Sequence, residues 1–69
     1  MNATEVELLV RGVITHNGLP FTVISVNASP TGWNIVVRGV TGGLLRFNLV
    51  GGRPVSMRVA IQEKLEAEL

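Results

Sequence analysis

A chain of 69 residues with no cysteine must hold its fold together without covalent help. A domain this short buries a smaller share of its surface than a large one, and disulfides, a metal or a partner chain are the usual supplements. Disulfides and thiolate metal sites are excluded, and the single histidine, His16, cannot build a multi-histidine site alone. A tight core or self-association remains. The composition suits both, because 46% of the residues are apolar and only 16% are charged. A homo-oligomer is therefore expected, a homodimer first. The length allows one small domain, residues 1–69.

Strand patterning dominates the reading. Residues 6–15 are rich in Val, Leu and Ile, and the even positions Val6, Leu8, Val10 and Ile14 form one apolar stripe. Asn17-Gly18 follows, and both residues accept the positive φ of a type I′ hairpin turn. A second strand is expected over about 20–26. "NASPTG", residues 27–32, has the composition of a loop. A third strand is expected at 33–40, with Trp33, Ile35 and Val37 on its core side. Gly42-Gly43 reads as another turn, and a fourth strand at 44–50 turns Leu45, Phe47 and Leu49 inward. Val55, Met57, Val59 and Ile61 alternate like a strand, while Met57, Ile61, Leu65 and Leu69 are spaced like one face of a helix. The reading takes a short fifth strand at 55–59 and a helix at about 60–68; a helix beginning at Ser56 is the alternative.

Two stretches resemble each other: "VRGVITHNGLPFTV" from Val10 and "VRGVTGGLLRFNLV" from Val37. Read as strand–turn–strand, they make two tandem hairpins. The expected fold is thus mainly β (α+β): a twisted antiparallel sheet, or a small SH3-like half-open barrel, with a C-terminal helix. On the opposite face Leu9, Val13, Val36, Val40, Leu44 and Val50 lie among the arginines. That face is too apolar for solvent alone, so barrel closure, the helix or a second subunit is expected to cover part of it.

The charges are segregated. All five acids, Glu5, Glu7, Glu63, Glu66 and Glu68, lie near the ends, while Arg11, Arg38, Arg46, Arg53 and Arg58 occupy an acid-free middle. Arginine pairs bidentately with phosphate, and a small β surface carrying arginines is a known platform for single-stranded nucleic acid. Those five arginines are the candidate anion-binding residues. Trp33 and Phe47 would stack bases if exposed, but both fall on the expected core stripes. Met57, Ile61, Leu65 and Leu69 are the candidate dimer interface.

No catalytic pattern is present. The acids flank no central cleft, the serines lie in no nucleophile motif, and the paired glycines lack the lysine and βαβ context of a phosphate loop. A non-catalytic binding or assembly module is expected, with no cofactor and no metal. No apolar run approaches the roughly 20 residues that span a bilayer. The start, Met1-Asn2-Ala3-Thr4-Glu5, lacks the basic and apolar regions of a signal peptide, so a cytoplasmic location is expected.

Asn27-Ala28-Ser29-Pro30-Thr31-Gly32 resembles the Asn/Asp-x-Ser-x-x-Gly element of PilZ domains, small β-barrels that bind cyclic di-GMP. The resemblance implies ligand contacts from Asn27, Ser29 and Gly32. It covers six residues. The companion Arg-x-x-x-Arg element is absent, since Arg11 is followed four positions later by Thr15.

Overall fold

The computed structural model describes residues 1–69 and runs α1 (Ala3–Asn17), β1 (Phe21–Ser29), β2 (Gly32–Gly39), β3 (Leu44–Val50), α2 (Pro54–Glu66). The three strands form one antiparallel sheet in the order β1-β2-β3. Both helices lie on one face of it, α1 over β1 and α2 over β3, and the helices touch each other. The sheet does not close into a barrel.

Residues 6–15, expected as a strand, belong to α1. An Asn2–Glu5 capping box starts the helix: the Glu5 N–H donates to Asn2 Oδ1 at 2.9 Å, and the Asn2 N–H donates to Glu5 Oε1 at 3.0 Å. The side chains it buries are Val6, Val10 and Val13, a helical spacing. The even-numbered stripe was misleading, since its member Leu8 is 64% exposed on the far side of the helix. Asn17-Gly18 closes a helix rather than a hairpin. Gly18, at φ 61°, donates its N–H to the carbonyls of Ile14 and Thr15, and Leu19 N–H returns to Ile14 O at 2.9 Å.

The fifth strand is likewise replaced by helix. Pro54 occupies the first turn of α2, where its missing N–H costs nothing and its fixed φ fits the helix. Met57, Ile61 and Leu65 then fall on one helical face and are buried. The near-repeat therefore folds two ways. Val10-Arg11-Gly12-Val13 lies within α1, whereas Val37, Arg38 and Gly39 end β2 and Val40 begins the turn.

The strand expectations at 33–40 and 44–50 coincide with β2 and β3 to within one residue. β1 extends to Ser29, so most of the expected loop is strand and only Pro30-Thr31 turns the chain. A bulge between Val23 and Ser25 shifts the register of β1 against β2.

The core lies between the layers. Val6, Val10 and Val13 from α1 and Met57, Ile61 and Leu65 from α2 meet Val23, Ile35, Val37 and Leu49 from the sheet. Burying an aliphatic side chain fully contributes about 1.5–3 kcal/mol. Trp33, Leu45, Phe47 and Phe21 pack at the margins of this cluster and are half-buried. No helix is long and apolar enough to cross a membrane.

Candidate functional site

With both helices on one side, the other side of the sheet is open. Alternation along β2 and β3 presents Asn34, Val36 and Arg38 there, beside Leu44, Arg46, Asn48 and Val50. From β1 the register brings Thr22, Ser25 and Asn27 opposite Arg38, Val36 and Asn34. No acid lies on this face or anywhere in the sheet. Glu5 and Glu7 are in α1, Glu63 and Glu66 in α2, and Glu68 beyond it.

Near the β1–β2 turn the face carries a row of amides, of which Asn34 and Asn48 are hydrogen-bonded to each other. Asn27, Asn34 and Asn48 align across the three strands. Asn48 Nδ2 donates to Asn34 Oδ1 at 3.1 Å and to Ser29 Oγ at 3.0 Å, while Asn48 Oδ1 accepts from Thr31 Oγ1 at 3.3 Å. This network ties the tip of the β1–β2 hairpin to β3. Arg46 lies opposite Val36, and Arg38 opposite Leu44. The two arginines are therefore diagonal neighbours on adjacent strands, with side-chain roots about 7–8 Å apart. Neither makes an ion pair. Arg46, Asn34, Val36 and Asn48 also line a shallow depression of about 410 Å³.

The other candidate arginines do not join them. Arg11 lies on α1, with Nε 2.9 Å from Glu7 Oε2, an exposed pair one helical turn apart. Arg53 is the N-cap residue of α2. Arg58 lies in the helix layer, where it lines a cleft of about 370 Å³ between the helices with His16, Asn17 and Gln62. The Asn17 amide is already engaged there, donating to Val13 O at 2.9 Å.

Of the candidate dimer stripe, Met57, Ile61 and Leu65 are consumed by this chain's own core, and only Leu69, at 70% exposure, is free. The three residues of the PilZ-like element lie in a tight hairpin. Asn27 pairs with Asn34, and Ser29 Oγ serves Asn48. A Cβ on Gly32 would stand 2.1 Å from the Leu49 carbonyl oxygen. The sheet thus requires glycine at 32 for its own packing.

The amide row went unread in the sequence, although Asn34 and Asn48 share the strand alternation of Arg38 and Arg46. Its β1 members were hidden, because the bulge at Ile24 reverses the parity and the loop-like composition of 27–32 masked the strand. No protein-family model, curated protein or solved structure matches this chain.

Proposed function

We propose that this protein is a non-catalytic binding module that holds an extended polyanion, single-stranded nucleic acid in the first instance, on its open sheet face. One observation carries the reading. Two arginines without ion-pair partners stand among amide and hydroxyl side chains on a face with no acid, while every acid of the chain lies in or beyond the helices. Guanidinium groups grip phosphate bidentately, and neighbouring amides and hydroxyls supply further hydrogen bonds.

The aromatic residues set the character of the binding. Phe21, Trp33 and Phe47 lie on the helix side, so the stacking that contributes about 1–3 kcal/mol per base elsewhere is missing. Recognition rests on the phosphate backbone. It is weak, tolerant of sequence and strongly dependent on salt.

Fluorescence anisotropy with a labelled mixed-sequence single-stranded oligonucleotide tests this. Binding is expected at low salt and lost at moderate salt. Arg46→Ala and Arg38→Ala are each expected to weaken it and to lower the slope of log K against log salt by about 0.7. Arg58→Ala, in the helix layer, is expected to leave it nearly unchanged. Binding that survives high salt, or that depends on Arg58 and not on Arg38 or Arg46, would refute the proposal.

A further inference from the structure

The two edges of the sheet are unlike. β1 carries the bulge between Val23 and Ser25, which disrupts its outer backbone row and discourages a further strand. β3 has no bulge against β2, no proline and no lysine. It is a regular seven-residue strand whose outer backbone groups meet no neighbour.

Its sequence, Leu44-Leu45-Arg46-Phe47-Asn48-Leu49-Val50, reads nearly alike in both directions about Phe47: two apolar residues, a polar one, the aromatic, a polar one, two apolar. We infer that β3 is the interface for a second copy of this chain, paired antiparallel about a twofold axis at Phe47, so that two three-stranded sheets join into one. A twofold interface must be self-complementary, and this strand is. The pairing sets Leu44 against Val50 of the partner subunit and Leu45 against the partner's Leu49. Phe47 meets the partner's Phe47, and Arg46 meets the partner's Asn48. No charge faces its like.

The backbone agrees with this register. Gly39 N–H bonds Gly43 O at 2.9 Å, so by antiparallel alternation Leu45, Phe47 and Leu49 turn their backbone groups to β2. Leu44, Arg46, Asn48 and Val50 turn theirs outward. An axis at Phe47 pairs those outward-turned residues with one another, as a ladder requires. The side chains agree as well. Leu44 and Val50, at the two ends of the strand, are 50% and 69% exposed. Leu45 and Phe47 point to the helix side but are only half-buried, because no strand lies beyond them. The partner strand covers all four.

The inference stands apart from the polyanion reading, and its test needs no ligand. Sedimentation equilibrium of the full chain is expected to show a concentration-dependent monomer–dimer mass. Leu44→Lys with Val50→Lys sets lysine against lysine at both ends and is expected to leave a folded monomer, its fold checked by circular dichroism. Leu44→Lys with Val50→Glu sets opposite charges together in the same register and is expected to restore the dimer. A wild-type chain that stays monomeric into the high micromolar range overturns the inference. So does a dimer indifferent to the lysine pair, or one that the lysine–glutamate pair fails to restore.

Discussion

Gly32 follows the β1–β2 turn and pairs with Val50 of β3. Its φ is 156°, and a Cβ would meet Leu49 O at 2.1 Å, Gly51 N at 2.8 Å and Val50 Cα at 2.9 Å. All three atoms are backbone, so no side-chain rotation relieves the clash. Gly32→Ala is expected to cost about 2–4 kcal/mol, measured as a lower urea midpoint with little change in m. The core residues follow a different rule. Ile61 is fully buried between α2 and the sheet, and Ile61→Ala leaves a cavity costing about 2–5 kcal/mol. A single core in a chain this short rarely supplies more than about 3–5 kcal/mol, so either substitution populates the unfolded state measurably.

Helix and strand compete at the scale of the element, and α1 shows how closely. Residues 6–15 satisfy a period of two through Val6, Leu8 and Val10, and a helical period through Val6, Val10 and Val13. β-branched residues favour the strand. What decides is outside the stripe: a capping box at Asn2, a left-handed glycine at 18, and a sheet whose helix side needs covering. Asn-Gly serves a hairpin and a helix end equally, so that dipeptide alone did not separate them. β2 and β3 were legible because their alternation is strict and its inward half is large and apolar. Only the second part of α2, from about residue 60, was legible, through the Ile61–Leu65–Leu69 spacing. Residues 55–59 read as strand because Val55, Met57 and Val59 also alternate, and Pro54 at the helix start is the signal that separates the two. Gly12 offers a direct test of α1. It lies in mid-helix, and a Cβ there meets nothing within 4 Å. Gly12→Ala is expected to stabilise the protein by about 0.5–1 kcal/mol, seen as a raised urea midpoint. A loss of stability would contradict the helix.

Across the whole molecule, the two layers divide the charge. The helix layer holds the acids together with Arg11, Arg58 and Lys64, and the sheet holds Arg38 and Arg46 with no acid. Linear sequence showed an acid-free middle but not which arginines meet, because convergence is a tertiary property. Arg11 left the set once its segment became helix, whereas Arg38 and Arg46 were already on the strand faces turned from the core. The measurement that tests this account most directly is a backbone-amide NMR titration with a mixed-sequence single-stranded oligonucleotide at low and moderate salt. The account predicts shifts clustered on Thr22, Asn27, Asn34, Arg38, Arg46 and Asn48 that fade as salt rises. An unperturbed spectrum at low salt, or shifts gathered around Arg58 and the interhelical cleft, would contradict it.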